Sequence, residues 1–254
     1  MKKVYIFTGK NKDTDGKCRE KVENIIREKD GVSVDDPSKA DMMVVLGGDG
    51  TMMRASHISM QYGLPFIGVN LGRVGYMTEL DREDIGLLSG LFDGGYKYDN
   101  RMALEVSYGD KHIFAFNDAV IHSRSTHMIT LEVESDGNAV GKYRGDGVII
   151  ATPTGSTAYS MSAGGAVIDP SLECICLTPI CPQSLIARPM VFSPERQLKI
   201  RIDSPNCILT IDGKESVDID CGTEITVKKS KNTVRLIKLK NDEFFATLRK
   251  KLTE

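Results

Sequence analysis

Along the first third of the chain, short apolar runs alternate with longer polar stretches whose apolar residues recur every three or four positions. "KVYIFT" (3–8) has the look of a strand, and "DGKCREKVENIIREKDG" (15–31) puts Val22, Ile25 and Ile26 at helical spacing before ending on a glycine. "ADMMVVLGG" (40–48) is a second strand ending in a glycine turn. "GTMMRASHISMQYG" (50–63) is a helix with glycine just past its end, and "LPFIGVN" (64–70) is a third strand. Strands that are apolar throughout, alternating with helices, predict an α/β domain built on a parallel sheet.

From about Asn100 the period shortens to two. "RMALEVSYGDKHIFAFND" (101–118) and "MITLEVESDGNAVGKYRGDG" (128–147) each read as paired strands around a glycine turn. "QLKIRIDS", "CILTIDGK" and "EITVKKS" add further short strands. The pattern predicts an α/β domain over 1–98, a β-rich domain over 99–230 and a C-terminal segment over 231–254. In that last segment Phe244, Phe245, Leu248 and Leu252 form one helical stripe that must dock on something.

A chain of 254 residues, 41% hydrophobic, is long enough for two domains with real cores. Its 33 basic and 35 acidic residues nearly cancel, which argues against a broad nucleic-acid surface. No apolar run approaches a bilayer span, and the apolar part of "MKKVYIF" is too short for a signal peptide. The six cysteines make no C-x-x-C pair and have no histidine at metal spacing, so bystander thiols in a cytoplasmic protein are expected.

Two stretches near the start imitate ligand loops. "GKNKDTDGKC" (9–18) follows a strand and precedes a helix like a P-loop. However, six residues rather than four separate Gly9 from Gly16-Lys17, and Cys18 stands where Mg²⁺ needs a hydroxyl. "NKDTDG" imitates an EF-hand opening, but Asn11 leads it and the twelfth position is Val22. A solvated loop accounts for both, with Lys10, Lys12 and Lys17 available to phosphate.

"VVLGGDGTMMRA" (44–55) is more informative. A glycine turn at the exit of a parallel strand, entering a helix, is a place where anions bind. Asp49 is the odd member there, because a carboxylate beside a phosphate is unfavourable unless a cation intervenes or the acid faces something else. A hydroxyl about to be phosphorylated is such a target. A tight structural turn, with Asp49 satisfying helix N–H groups, fits the same residues.

"YRGDGVIIATPTGSTAYSMSAGGAVIDP" (143–170) runs from an apolar strand into a segment dense in hydroxyls and glycine. Such a loop presents many donors with little bulk, which suits a flat polar ligand; a Gly/Ser-rich crossover loop is the plainer alternative. In it, Asp146 could accept from ribose hydroxyls and Arg144 could meet a phosphate. "FNDAVIH" (116–122) interrupts an apolar run with Asn117, able to read an adenine edge, and Asp118, able to grip vicinal hydroxyls; a turn or bulge fits the same spacing.

Together these stretches resemble the NAD kinase family, which phosphorylates the 2′-hydroxyl of the adenosine ribose of NAD to make NADP. The likeness runs in order through "GGDGT" (47–51), "GVNLGRVGYMTEL" (68–80), "ND" (117–118), "RGDG" (144–147), "TPTGSTAYSMSAGGA" (152–166) and "LTPICPQSL" (177–185). The glycine–acid turn alone also resembles diacylglycerol and sphingosine kinases, whereas the long hydroxyl-rich segment is specific. The resemblance implies a 6-phosphofructokinase-like N-terminal domain, a β-sandwich-like C-terminal domain that binds the dinucleotide, and a final helix returning to the N-terminal domain. It further implies an active site between domains, a homodimer or homotetramer, and Mg²⁺ carried in on ATP rather than held by protein ligands.

By the same resemblance Asp49 is the general base, with Gly48 and Gly50 on the phosphate side. Asn117, Asp118, Thr154, Thr157, Tyr159 and Ser160 belong to the dinucleotide site, and Tyr76 packs near the adenine. Arg144, Asp146, Ala158, Ser162 and Cys181 face the nicotinamide half or a neighbouring subunit. Lys214 stands where many members have Gln, Cys181 where some have Ala, and Tyr76 where Phe is usual. The short N-terminus leads to the expectation of no appended regulatory segment. Two rival readings are a lipid kinase of the diacylglycerol type, sharing only the turn, and a catalytically silent nucleotide-binding regulator. ATP, other triphosphates and polyphosphate all remain open as donor.

Overall fold

Apolar strands that follow one another through helices can bury both faces only in a parallel sheet, and the first such sheet forms in this way. The structure, a computed structural model, describes residues 1–72, 75–240 and 244–252. It divides into one unit of Met1–Asn100 with Val234–Glu254 and another of Arg101–Thr233.

In the first unit the sheet order is Val32–Val34, Lys3–Thr8, Met42–Leu46, Phe66–Asn70, Val234–Lys238 and Lys97–Arg101, with Leu80–Asp81 also paired to Phe66–Asn70. Lys3–Thr8, Met42–Leu46 and Phe66–Asn70 run parallel, Val4 opposite Met42 and Met43 opposite Phe66. Every residue of the latter two strands is buried. Parallel strands exit along one edge, so the loops after Thr8, Leu46 and Asn70 emerge side by side. The Gly9 N–H donates to Leu46 O at 2.9 Å and the Gly47 N–H to Val69 O at 2.9 Å.

Helix Lys17–Glu28 buries Cys18, Val22 and Ile26. Asp13 caps it, accepting from the Cys18 N–H at 2.9 Å and the Arg19 N–H at 2.7 Å. Lys17 pairs with Asp15 at 3.3 Å. Asp13, Asp15 and Lys17 of the two imitation motifs thus serve helix capping and local pairing.

One strand was not foreseen. Val234–Lys238, read in the sequence only as the start of a tail, enters the sheet parallel to Phe66–Asn70 with Leu236 opposite Phe66. The following helix, Phe244–Leu252, partly buries Phe244 but leaves Phe245 60% exposed, so the expected stripe is not fully docked within this chain. The Leu252 side chain, like residues 241–243 and 253–254, lies outside the described residues.

The second unit is a sandwich of two six-stranded sheets. One runs Asn138–Gly145, Ile129–Ser135, Leu198–Ile202, Glu224–Lys229, Leu104–Tyr108, Lys111–Ala115. The other runs Met190–Phe192, Ile175–Ile180, Gly147–Ala151, Asp118–Ser123, Cys207–Ile211, Glu215–Ile219. Alternate residues of both, including Leu104, Leu131, Ile200, Ile121, Ile150 and Leu209, meet in one core. The other face of the second sheet buries Val120, Ile149 and Ala151 beneath Ala163 and Ile168 of the hydroxyl-rich segment. That cover explains why Gly147–Ala151 is buried throughout and reads as a continuous apolar run.

Among the described residues no helix is long and apolar enough to cross a membrane. All six cysteines are free thiols.

Candidate active site

In the first unit the helix Asp49–Tyr62 opens directly on the acid of the glycine turn, and Gly63 in the left-handed region ends it. The Asp49 carboxylate reaches across to the loop that leaves the neighbouring strand. Its Oδ2 accepts from the Tyr76 N–H at 2.9 Å and its Oδ1 from the Met77 N–H at 3.1 Å. Gly75 makes this approach possible, since a Cβ there would lie 2.9 Å from Asp49 Cγ. Lys251 stands 3.5 Å from Asp49 Oδ2. A carboxylate offers about four acceptor positions; with these partners taken, room remains for one hydroxyl. Burial and the nearby Asp49 charge push the Tyr76 phenol above its ordinary range. Gly48 is extended and caps the helix, while Gly50 is exposed on its first turn. Arg73 and Val74 of the same motif lie outside the described residues.

In the second unit, Asn117 and Asp118 form the corner where the strand Asp118–Ser123 begins, and it is clamped from two directions. Asp212, in the hairpin turn before Glu215–Ile219, accepts from the Phe116, Asn117 and Asp118 N–H groups at 2.9, 2.7 and 3.1 Å. Its own N–H donates to Asp118 O at 3.0 Å. From the other side, the Thr152 N–H donates to Asn117 O at 2.9 Å and its hydroxyl to Phe116 O at 2.7 Å. Gly155 has to be glycine, because a Cβ would lie 2.6 Å from the Asn117 carbonyl carbon.

This corner lines a cavity of about 370 Å³ together with Ala158, Tyr159, His122 and Asp212. Asn117 Oδ1 is buried without a hydrogen-bond partner. A buried acceptor left unpaired is unfavourable, so this oxygen suits a ligand N–H.

The remaining residues singled out in the sequence for this unit do not line this cavity. Thr154 accepts from Arg101 at 3.4 Å, and the Thr157 hydroxyl donates to Thr154 O at 3.3 Å. Ser160 is buried, its hydroxyl bonded to that of Thr178 at 2.9 Å, and Ser162 is exposed. Arg144, Asp146 and Cys181 gather at another corner: Gln183 N–H donates to Arg144 O at 2.8 Å, Asp146 N–H to Ile180 O at 3.0 Å, and Cys181 follows with φ 44°. Lys214 is exposed on the hairpin turn beside Asp212 and Gly213. Sequence reasoning missed Asp212 and His122. The Asp-Gly pair in "IDGK" marks a hairpin turn, but nothing local says that its carboxylate crosses to another strand.

The profile described as "ATP-NAD kinase N-terminal domain" matches residues 1–96, and that described as "ATP-NAD kinase C-terminal domain" matches residues 116–239. The chain belongs to the NAD kinase family. It is 37% identical to the NAD kinase of Caldanaerobacter subterraneus subsp. tengcongensis, over 100% of both chains. It is also similar in structure to an NAD kinase from Archaeoglobus fulgidus in complex with ATP, with TM-score 0.83 and 31% identity over 99% of this chain and 98% of that one. A yeast NADH kinase complexed with NADH gives TM-score 0.88 and 25% identity over 100% of this chain and 88% of that one. None of these findings supports the lipid-kinase reading.

Within this NAD kinase the acid of the corner has an unusual titration. Burial, and secondarily the Asp212 carboxylate, push Asp118 up to about 7. An unfolded chain gives up the same proton near pH 4. Between those values the native state holds the extra proton, so this group's contribution to stability falls as pH rises, by up to about 1.4 kcal/mol per unit. The Asp118→Asn variant is therefore expected to melt above the wild type at pH 8, with the difference shrinking toward pH 5. Thermal denaturation at both pH values checks this, and a difference independent of pH would contradict it.

Proposed function

We propose that this NAD kinase transfers the γ-phosphoryl group of ATP, taken as its Mg²⁺ complex, to the 2′-hydroxyl of the adenosine ribose of NAD. The observation that carries the reading is the Asn117–Asp118 corner, which lines a cavity with Tyr159 and holds an amide oxygen without a hydrogen-bond partner. An adenine amino group supplies the N–H that Asn117 lacks, and vicinal ribose hydroxyls suit Asp118.

Asp49 takes the hydroxyl proton as the oxygen attacks phosphorus, and the bond to the leaving ADP breaks. A loose transition state asks for little proton abstraction beforehand, so alignment and charge neutralisation supply most of the rate. The start of helix Asp49–Tyr62 favours the anionic phosphates. Thr154, Thr157, Ser160 and Tyr159 shape the dinucleotide side. Arg144, Asp146, Ala158, Ser162 and Cys181 serve the nicotinamide half or a neighbouring subunit, and Tyr76 lies near the adenine. The enzyme works in the cytoplasm as a homodimer or homotetramer, and its first unit is 6-phosphofructokinase-like, with the C-terminal helix returning to it.

An NAD analogue lacking the adenosine 2′-hydroxyl tests the acceptor directly. It is expected to inhibit competitively against NAD and to receive no phosphoryl group; phosphorylation of the analogue would overturn the assignment of the accepting atom.

A further inference from the structure

Lys251 enters the neighbourhood of Asp49 from the helix Phe244–Leu252, the last element of the chain. Its ammonium lies 3.5 Å from Asp49 Oδ2 and 3.9 Å from the centre of the Tyr76 ring, and its side chain is 24% exposed. Arg249 and Lys250 of the same turn are exposed. Asp49 already accepts one backbone N–H on each oxygen, so the carboxylate has hydrogen-bond partners without the ammonium.

The Lys251 side chain is 24% exposed and that of Asp49 33%, and an ion pair open to solvent to that extent contributes little by itself. A more demanding partner is an anion that arrives. The oxygen whose proton Asp49 accepts must lie within hydrogen-bond reach of the carboxylate, and the phosphorus it attacks is a further near-attack distance of about 3–3.5 Å away. A cation already touching that carboxylate is thus one side-chain rotation from the transferring phosphoryl oxygens. Lysine suits the task as a compact charge on a flexible stem with rotatable donors. The Tyr76 face supplies a resting place between turnovers.

We infer that Lys251 is a donor-phosphate-binding residue, turning its ammonium from Asp49 to the γ-phosphate of the nucleotide; the inference rests on the NAD kinase reading above. The Lys251 ammonium neutralises charge that develops on the phosphoryl oxygens, while the hydroxyl proton goes to Asp49 and the leaving oxygen to ADP.

Two variants, Lys251→Met and Lys251→Arg, test it by MgATP titration without NAD and by initial rates with both substrates. The loss of one charge-assisted contact predicts that Lys251→Met binds MgATP about ten- to a hundredfold more weakly and turns over more slowly. Its KM for NAD should stay within about twofold of wild type, and Lys251→Arg should recover most of the MgATP affinity. Unchanged MgATP affinity in Lys251→Met would overturn the inference. So would equal weakening toward NAD and MgATP with a lowered Tm and no recovery by Arg, which would make Lys251 a clamp on its helix. Should the wild type form no NADP, the kinase reading fails on that result alone, and the MgATP titration still decides the role of Lys251.

Discussion

Asp49→Asn is expected to lower the rate of NADP formation by about a hundredfold or more, with NAD binding unchanged. The amide has nearly the shape of the carboxylate but cannot accept a proton from the ribose hydroxyl. It also offers one acceptor oxygen where the carboxylate now serves the Tyr76 and Met77 N–H groups separately. One of those donors loses its partner, at about 1 kcal/mol. For a chain of this length that lowers Tm by roughly 2–4 °C. Initial rates, an NAD titration and a melting curve on the same preparation separate the catalytic effect from the structural one. A near-normal rate would remove Asp49 from the role of general base.

The second large effect is expected at Asp212. Truncation to Ala leaves the Phe116, Asn117 and Asp118 N–H groups without their acceptor at the edge of the cavity. Hydrogen bonds to a charged group contribute about 1.5–3 kcal/mol each, and partial relaxation leaves a loss of about 3–5 kcal/mol. Asp212→Ala should lower Tm by roughly 6–20 °C. It should also raise the KM for NAD about a hundredfold, because the corner that presents Asn117 and Asp118 loses its support. Asp212→Asn keeps one acceptor oxygen and is expected to lie between. Should the Ala variant bind NAD as tightly as wild type, the corner does not depend on this residue.

Much of the first unit was legible because each level of the sequence pointed the same way. Met42–Leu46 and Phe66–Asn70 are buried on both faces, and so read as unbroken apolar runs. Gly63 stops the intervening helix where its position predicts. The hairpins at 104–115 and 129–145 were marked by alternation around Gly109 and Gly137. The strand Val234–Lys238 was not visible, because its pairing partner lies far away in the sequence and five residues carry too little period to separate strand from helix.

At the site the residue types announced themselves, but their contacts did not. Asp49 stood out as an acid in an anion-shaped turn, yet nothing nearby in the sequence links it to the Tyr76 and Met77 N–H groups or to Lys251. Asp212 looked like an ordinary turn residue. Its carboxylate matters because the sheet places Cys207–Ile211 beside Asp118–Ser123, with Ile211 opposite Ala119. Ser160 shows the converse: a hydroxyl conspicuous in the motif is spent on Thr178 within the unit.

The most direct measurement is product formation by the purified protein given NAD and MgATP, read with a dehydrogenase that accepts only NADP. One NADP should appear for each ADP released, and parallel assays of Asp49→Asn should show that yield collapse. ADP release with no NADP, or tight NAD binding with neither product, would contradict the account.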